Sequence, residues 1–347
     1  MTDPRSILII RPSALGDVCR SVPVLVSLKR AFPNARIDWL VQDGFAAAIA
    51  DHPDLGRIVP FARRELGAAS RRGNFGPVRR FFAQLREANY DLVIDCQGLL
   101  RSGLFAWATR AKRRVGFANA RELGWLGVNE RHDVSTSLHS VDRMLELLRR
   151  AGVPIVHDMR LYSNPQACHD VAPALQAAGS RYAVVAPTSR WAAKRWPADR
   201  FARVVENLCE HGYSGVVIVG GANERDQCGP LLEVASKNAK VIDRIGGTSV
   251  AQLMAIIESA SLVIANDSAA LHMAVGFDRP TVALYGPTRV ELVGPYRRER
   301  DVIQHLKPGD SFDHKNDANV TMMQRISVDE VIERVAAISR DAAQTRA

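Results

Sequence analysis

The chain has 347 residues, of which 47% are hydrophobic and 24% are charged, a composition typical of a globular protein with room for two domains. No run of about eighteen apolar residues occurs, and a strand begins directly after the first few residues, so we expect neither a membrane span nor a signal peptide. Lys and Arg outnumber Asp and Glu by 46 to 37, and the formal net charge of +9 favours anionic partners: nucleic acid, acidic lipid or phosphorylated substrates.

Strands alternate with helices along the first half of the chain, the order that gives a parallel sheet. The all-apolar run 7–10 is typical of a strand covered on both faces. Further strands are predicted at 36–41, 57–61, 89–96, 113–117 and 159–162, with helices at 18–32, 44–50 and 140–151. The turn sequence Ser163-Asn164-Pro165 then suits a boundary, which divides the chain into domains 1–164 and 165–347.

The second half starts an alternation of its own. Strands are predicted at 182–186, 215–219, 240–242, 262–265 and 281–285, with helices at 198–211, 223–236, 249–259, 269–275 and 328–342. Neither half carries the Gly-x-Gly-x-x-Gly fingerprint, which weakens a dinucleotide-binding interpretation. The sequence therefore predicts an α/β protein with two successive Rossmann-like halves.

The first strand runs into Arg11-Pro12-Ser13-Ala14-Leu15-Gly16-Asp17, a strand-to-helix turn in which Asp17 is the one acidic residue. A carboxylate at the carboxyl end of a strand can act as a general base. It can equally be a plain N-cap of the following helix, and the residues alone leave both interpretations open.

The stretch from Pro187 to Pro197 follows the first strand of the second half and contains Thr188, Ser189 and Lys194. Short hydroxyl donors and a compact positive charge on a flexible stem are what a diphosphate needs. A solvated basic loop held by two packed tryptophans is the alternative.

Two later turns carry polar groups at strand ends. After Gly220-Gly221, Glu224 could accept hydrogen bonds from a ribose diol, or could be a carboxylate favoured by a helix start. Asp267, Ser268 and Thr288 end neighbouring strands and are expected to face one crevice. The helix after Asp267 offers free N–H groups to an anion, although an ordinary N-cap explains the same residues.

The stretch from Asn266 to Thr288 resembles the signature of glycosyltransferase family 9, the heptosyltransferases, in which Asp-Ser/Thr-Gly-x-x-His precedes Pro-Thr-x-x-x-Tyr/Phe-Gly-Pro-Thr. The matching residues are Asp267, Ser268, His272, Pro280, Thr281, Tyr285, Gly286, Pro287 and Thr288. Ala269 departs from the pattern, because the family usually has Gly there. Lys194-Arg195-Trp196-Pro197 matches a second family motif without change, and Asp95-x-Gln97-Gly98 and Gly16-Asp17 match two more.

The resemblance implies the GT-B architecture: two Rossmann-like domains that face a central cleft, with the final helix often packing back on the first domain. It implies inverting transfer of L-glycero-D-manno-heptose from ADP-heptose to the Kdo–lipid A or heptosyl inner core of lipopolysaccharide. The first domain would bind the acceptor and the second the nucleotide sugar. The enzyme would work at the cytoplasmic face of the inner membrane as a peripheral protein.

The resemblance also implies roles for individual residues. Asp17 would be the base, Lys194 and Ser189 would hold the diphosphate, and Glu224 would hold the ribose. The implied donor site comprises Thr188, Ser189, Lys194, Glu224, Asp267, Ser268, Ala269, His272 and Thr288. The implied acceptor site comprises Ser13, Gly16, Arg63, Arg64, Gln97 and Arg121. His272 is expected to be structural or adjacent to the nucleotide.

A run of arginines between residues 57 and 80 points to an anionic acceptor. Six arginines are relieved only by Glu65, and three glycines are expected to keep the segment loop-like: Arg63, Arg64, Arg71, Arg72, Arg79 and Arg80, with Gly67, Gly73 and Gly76. Nucleic acid is disfavoured because few aromatic residues are interleaved for base stacking. A phosphorylated glycolipid at an anionic membrane fits better, and a solvated basic face is the alternative.

No cofactor is expected, since no His, Asp or Glu cluster has metal-ligand spacing. The five cysteines show no paired spacing either, and we expect free thiols in a reducing cytoplasm. Two other functions stay open: a GT-B sugar-nucleotide 2-epimerase, and a catalytically idle protein that binds a nucleotide or lipid A. The segment 304–319 has no function that its sequence indicates.

Overall fold

This computed structural model describes residues 3–344, and it divides into two compact units between Tyr162 and Ser163, two residues before the predicted boundary. Within the described range each unit holds one six-stranded parallel sheet with helices packed on it. In residues 3–344, no helix has both the length and the apolar character that crossing a membrane requires.

In unit 1 the strands are β1 (Ser6–Ile10), β2 (Arg36–Gln42), β3 (Arg57–Phe61), β4 (Leu92–Asp95), β5 (Arg113–Phe117) and β6 (Glu130–His132). The helices are α1 (Leu15–Arg20), α2 (Val22–Ala31), α3 (Arg63–Arg71), α4 (Gly76–Glu87), α5 (Leu100–Ala108) and α6 (Ser140–Arg150), and 3-10 helices occur at Asp43–Ala48 and Arg121–Gly127. Strand β1 lies inside the sheet between β2 and β4, which explains why Ile7 to Ile10 are fully buried.

In unit 2 the strands are β7 (Tyr182–Ala186), β8 (Gly215–Ile218), β9 (Val241–Asp243), β10 (Leu262–Asn266), β11 (Thr281–Leu284) and β12 (Val302–Ile303). The helices are α7 (Pro165–Ala178), α8 (Ala198–Glu210), α9 (Gly229–Lys237), α10 (Val250–Glu258), α11 (Ala269–Gly276), α12 (Val290–Val293), α13 (Val320–Gln324) and α14 (Val328–Gln344). Short 3-10 helices lie at Ala192–Lys194, Ala222–Cys228, Glu299–Asp301 and Asp317–Asn319.

Both sheets have the same strand order. Unit 1 runs β3-β2-β1-β4-β5-β6, and unit 2 runs β9-β8-β7-β10-β11-β12 when its sheet is read in the same direction. This is the doubly wound Rossmann order, which reverses next to the first strand and opens a crevice at the carboxyl ends of the strands on either side. The residues after β1 and β4, and those after β7 and β10, therefore flank the ligand-binding positions of the two units.

Three predicted elements of unit 1 are wrong. The helix 18–32 is broken at Ser21, because Pro23 lacks the N–H for an interior helical bond and lies instead in the first turn of α2. The arginine segment is not loop-like: α3 and α4 occupy most of it, since Arg, Glu, Leu and Ala favour helix and only Gly73 takes a left-handed turn conformation.

The predicted strand 159–162 is absent from the described structure of this segment. Leu161 is buried. The Arg160 N–H donates to the Asp158 side chain in a local turn instead of to a neighbouring strand.

Smaller differences affect two helices. The predicted helix 44–50 is the 3-10 helix Asp43–Ala48, and the predicted helix 223–236 divides at Gly229 into a 3-10 turn and α9. The final helix α14 packs on α8 and contributes Val331 and Val335 to the core of unit 2. Its predicted packing on the first domain stays a prediction.

Candidate active site

Asp17 lies in the first turn of α1, at the carboxyl end of β1, and its side chain is 26% exposed. It is not the N-cap: that position is Ala14, whose N–H donates to Asp17 Oδ2 at 3.1 Å. Arg11 Nη2 lies 3.3 Å from Asp17 Oδ1, and Arg20 donates to the same oxygen. Burial raises the pKa of this carboxyl, but the two guanidinium charges and the Ala14 N–H outweigh it, so the pKa lies well below its ordinary value. Asp17 is therefore an ionised proton acceptor.

Asp95, at the end of β4, organises the neighbouring turn. Its Oδ1 accepts the N–H groups of Gln97 and Gly98 at 2.9 and 3.1 Å, and its Oδ2 accepts the Ser102 hydroxyl at 2.9 Å. Burial raises its pKa to about 6, although those three donors and Arg11 oppose the shift. Arg11 Nη1 donates to the Cys96 carbonyl at 2.6 Å and so joins this turn to the Asp17 turn. The two strand ends at the switch point of unit 1 are thus held together.

The predicted acceptor residues fall into two groups. Ser13 and Gly16 lie in the Asp17 turn, and Gln97 lies in the Asp95 turn, with a buried Oε1 that has no hydrogen-bond partner among residues 3–344. Arg121 is joined to that turn by its N–H, which donates to the Gly98 carbonyl at 3.0 Å. A second group, Arg63 and Arg64, is exposed in the first turn of α3.

Arg143 of α6 is a charged neighbour that the sequence did not indicate. Its guanidinium lies 4.0 Å from the centre of the Phe117 ring and donates to Asn119 Oδ1 at 2.8 Å. Burial and the charges of Arg11 and Arg121 lower its pKa. These three arginines form a cationic cluster, which Arg11 joins to Asp17 and which suits an anionic substrate.

Lys194 lies in unit 2 at the end of the 3-10 helix Ala192–Lys194. Its Nζ is 2.6 Å from Asp267 Oδ2, and the two side chains are only 14% and 9% exposed. The pair joins the segment after β7 to the segment after β10. Lys194 is therefore not a solvated surface lysine, and an arriving diphosphate would meet a cation already held by a carboxylate.

The rest of the Lys-Arg-Trp-Pro motif holds the loop in shape. Arg195 donates to the Ser189 and Arg190 carbonyls, and the Trp196 indole is buried against Phe201 and donates to the Ile326 carbonyl at 3.0 Å. Ser189 is itself buried beside these groups. The motif thus fixes Lys194 through packing and backbone hydrogen bonds.

Thr188 and Glu224, both predicted donor residues, contact each other. Thr188 Oγ1 donates to Glu224 Oε2 at 2.7 Å, and the same carboxylate oxygen accepts the Gly221 N–H at 2.9 Å. Gly220 passes close by, since an added Cβ would lie 3.0 Å from the Thr188 methyl group. Two donors therefore orient the carboxylate after β8 through Oε2, and no donor to its Oε1 is found among residues 3–344.

The start of α11 carries the remaining predicted donor residues. Ser268 is the N-cap, but its hydroxyl makes no capping bond, and its buried Oγ lacks a partner within the described range. Ala269 opens the helix half-buried, and His272 is buried on it. Thr288 Oγ1 is likewise buried and unpartnered among the described residues. Buried hydroxyls without partners are unusual and are commonly satisfied by a bound molecule or water.

Two amides that were not predicted as site residues support these turns. Asn266 is fully buried and donates to the Pro187 carbonyl at 2.6 Å while it accepts the Trp196 N–H at 3.2 Å. Gln304 donates to the Gly286 and Thr288 carbonyls at 2.7 and 2.9 Å. A fully apolar strand end followed by one Asn is the sequence signal that could have indicated Asn266.

The segment 304–319 lies against the Lys194 loop. The His314 ring contacts the Trp191 ring at 5.7 Å between centres, and Lys315 Nζ lies 6.0 Å from the centre of the same ring. Burial and the Lys194 charge lower the pKa of His314. Arg289 stacks on Phe312 at 4.7 Å. This segment therefore forms part of the surroundings of the predicted donor site.

A cavity of about 710 Å³ lies at the other edge of the unit 2 sheet, lined by residues that precede β7, β10 and β11. The cavity therefore lies at the amino ends of these strands. We place the ligand site at their carboxyl ends, where the unpartnered hydroxyls lie. In residues 3–344, no group of three or more His, Cys, Asp or Glu side chains could hold a metal ion. None of the five cysteines forms a disulfide.

The model of Glycosyltransferase family 9 (heptosyltransferase) matches residues 78–320. The chain belongs to glycosyltransferase family 9. Lipopolysaccharide heptosyltransferase 1 of Pseudomonas aeruginosa is 33% identical over 306 residues, which cover 85% of this chain and 82% of that protein. The predicted family and the predicted glycosyltransferase activity are confirmed.

Solved heptosyltransferase structures resemble nearly the whole chain. The E. coli heptosyltransferase WaaC with ADP has a TM-score of 0.77 at 25% identity and covers 96% of this chain and 99% of its own. The same enzyme with ADP-2-deoxy-2-fluoro heptose has a TM-score of 0.72 at 25% identity, with 92% and 99% covered. The predicted fold class, GT-B with two Rossmann-like units, is confirmed at this level.

Proposed function

We propose that this family 9 enzyme transfers L-glycero-D-manno-heptose from ADP-heptose to the Kdo–lipid A or heptosyl inner core of lipopolysaccharide, with inversion at the anomeric carbon. The donor assignment rests on a cluster of polar side chains at the switch point of unit 2. One ammonium and two unpartnered buried hydroxyls lie there, from Lys194, Ser268 and Thr288. Relatives named lipopolysaccharide heptosyltransferases and a homologous structure that holds ADP support the nucleotide assignment.

The proposed donor contacts divide by chemistry. Lys194 and the hydroxyls of Ser189 and Ser268 bind the diphosphate, helped by the free N–H groups at the start of α11. The Glu224 carboxylate accepts the ribose hydroxyls. The Ala269 methyl group narrows the space above the helix start, so the phosphate binds slightly further from the α11 backbone than a Gly would allow.

The proposed reaction is a direct displacement. Asp17 takes the proton of the acceptor hydroxyl as that oxygen attacks the anomeric carbon, and the bond to the ADP oxygen breaks on the opposite face. Lys194 stabilises the leaving diphosphate. A carboxylate with a depressed pKa is a weak base, so we propose that anionic groups of the acceptor draw Arg11 or Arg20 away and raise the basicity of Asp17. The residues proposed to act need no metal ion.

The acceptor is a lipid, so we place the enzyme at the cytoplasmic face of the inner membrane as a peripheral protein. Arg63, Arg64 and Arg121 meet the anionic groups of the acceptor, together with Ser13, Gly16 and Gln97. The two rival functions are an epimerase that needs no acceptor and a protein that binds without turnover.

Proton NMR of the reaction tests the proposal and its rivals together. We expect the α or β configuration of the donor heptose to be inverted in the product, with no change in ADP-heptose while the acceptor is absent. A new ADP-sugar epimer formed without acceptor would favour the epimerase. Retention of the anomeric configuration in the product would exclude a single direct displacement. Binding of ADP without any product would favour the idle protein.

A further inference from the structure

Helix α5 presents an apolar face to solvent. Leu100, Leu104 and Trp107 follow one another at spacings of four and three residues, which places them on one side of the helix. They are 42%, 44% and 57% exposed, whereas Phe105 and Ala106 on the other side are buried. An exposed tryptophan beside two exposed leucines is a feature that a water-facing helix normally avoids.

The adjoining segment Arg121–Gly127 extends this face. Its backbone touches α5, since a Cβ on Gly127 or Gly124 would collide with the backbone of Gly103 or Leu99. Leu123 and Leu126, next to these glycines, are 57% and 55% exposed. Glu122 and Leu123 both have φ between 54° and 61°, a left-handed conformation that is costly for residues with a side chain. The fold thus bears local strain in a segment that exposes two leucines.

We name the five residues Leu100, Leu104, Trp107, Leu123 and Leu126 the apolar patch. Single exposed leucines need no explanation, but a contiguous exposed apolar surface marks an interaction site. Tryptophan and leucine next to charged residues are typical of surfaces that lie in the interface of a lipid bilayer.

Arginines flank the apolar patch on both sides. Arg101 lies close enough to Arg63 of α3 and to Glu122 for both charges to act on its pKa: after the larger effect of burial, Arg63 lowers it and Glu122 raises it. Arg86 and Arg110 line the groove beside Trp107, which has a volume of about 420 Å³ and also contains Glu87. Among residues 3–344, no carboxylate lies within 4.0 Å of any of these four arginines. Helices α3 and α4 and the turn between them add Arg64, Arg71, Arg72, Arg79 and Arg80, all exposed.

We propose that the apolar patch and its arginine border dock unit 1 on an anionic lipid bilayer. The leucines and Trp107 enter the boundary between headgroups and acyl chains, while the arginines contact lipid phosphates. A second copy of the chain is a poorer occupant, because a symmetric contact would bring the arginine borders together. The inference rests on the proposed function only in that a lipid acceptor explains why the enzyme would dock on a membrane. Arg121, a proposed acceptor residue, begins the segment that carries Leu123 and Leu126.

Vesicle co-sedimentation tests the proposal. The full chain is mixed with vesicles of phosphatidylcholine alone, or of phosphatidylcholine with phosphatidylglycerol as about one third of the lipid. We compare wild type with Leu104→Ser plus Trp107→Ser, and with a matched control, Leu138→Ser plus Ile155→Ser, two other exposed apolar side chains of unit 1. Circular dichroism and thermal melting establish that all three proteins fold.

We expect wild type and the control to bind the anionic vesicles, with weaker binding to phosphatidylcholine and at high salt. The patch variant should partition about tenfold more weakly, because membrane affinity follows the apolar area inserted. Equal binding by patch variant and wild type would overturn the proposal, as would no binding by wild type. Concentration-dependent self-association that the patch variant loses, without vesicle binding, would assign the patch to a second copy instead.

Transfer to a deacylated, water-soluble Kdo acceptor separates this inference from the proposed function. We expect the patch variant to retain wild-type turnover there, since its two residues touch neither donor nor base. If wild type transfers no heptose to any acceptor yet binds anionic vesicles through the patch, the proposed function fails and the docking surface stands.

Discussion

Removing the Lys194 side chain tests the donor site most sharply, because it disturbs a nearly buried ion pair. In Lys194→Ala, a diphosphate loses a charge-assisted contact that contributes about 1.5–3 kcal/mol. The diphosphate is also repelled by the Asp267 carboxylate, which has lost its cation in this variant. In wild type Asp267 Oδ2 lies 2.6 Å from Lys194 Nζ. At roughly 5 Å and an effective dielectric constant of about 20, that repulsion costs about 3 kcal/mol per unit charge. The two terms overlap, and we expect a loss of about 3–5 kcal/mol, or roughly 10²- to 10⁴-fold in the Kd for ADP.

Isothermal titration with ADP and with adenosine measures this loss. Adenosine carries no phosphate, so its affinity should change by less than about threefold. Lys194→Ala combined with Asp267→Asn should recover at least about tenfold of the ADP affinity, because the repelling charge is gone. Lys237→Ala, which removes an exposed lysine of α9 that pairs with Glu233, is the control and should bind ADP normally. Equal losses for ADP and adenosine would mean that Lys194 only shapes its loop, and no recovery in the double variant would refute the charge argument.

Three further predictions concern unit 1. Asp17→Asn should lower turnover by roughly 10²- to 10⁴-fold and leave ADP affinity nearly unchanged, and single-turnover rates above about a third of wild type would remove Asp17 as the base. Arg63→Ala with Arg64→Ala should raise the apparent KM for the lipid acceptor but not for the donor, and added salt should do the same to wild type; an unchanged acceptor KM at low salt would return the pair to ordinary surface. Burial raises the pKa of Asp95 to about 6 in the folded protein, against 3.8 for an ordinary Asp. The stability that its protonated form contributes is therefore fully present below pH 3.8 and is lost as the pH rises through 6. Chemical unfolding should therefore show wild type losing about 3 kcal/mol relative to Asp95→Asn between about pH 4 and 7, and a constant difference would contradict the burial effect.

Most of the strands were predictable because their apolar runs end in unambiguous turn residues. The predicted ranges 57–61, 113–117 and 182–186 coincide with β3, β5 and β7. β7 is buried throughout, and such a strand tolerates no polar interruption, so its limits are visible in the sequence. β3 and β5 are partly exposed, and each begins with arginine and continues into apolar residues. The helices were harder: the arginines of α3 and α4 suggested a solvated loop, whereas their helix propensity and the packing of Phe81 and Leu85 decide the outcome.

The candidate site was predictable in position but not in contacts. Lys194 and Asp267 are 73 residues apart, yet both follow strands whose carboxyl ends share one edge of a sheet, and the structure brings them together. Which hydrogen-bond donor meets which hydrogen-bond acceptor depends on side-chain packing that no local pattern encodes. The Thr188–Glu224 hydrogen bond and the contact of His314 with Trp191 therefore could not be predicted.

Arg143 was missed for a related reason. It reads in sequence as one polar position of an amphipathic helix, α6, and only the tertiary fold places it over Phe117 and near Arg11. The same limitation applies to the apolar patch, since the leucines at 100, 104, 123 and 126 look like core residues until the packing of Gly103, Gly124 and Gly127 turns them outward.

Mass spectrometry of the lipid product tests the central proposal most directly. The protein is incubated with ADP-heptose and Kdo–lipid A, with parallel samples that lack the acceptor, lack the donor or contain Asp17→Asn. We predict that the complete wild-type sample gains the mass of one heptose residue on the lipid and releases an equal amount of ADP, and that the incomplete samples do not. An unmodified acceptor, from a folded protein that binds ADP, would contradict the proposed transfer.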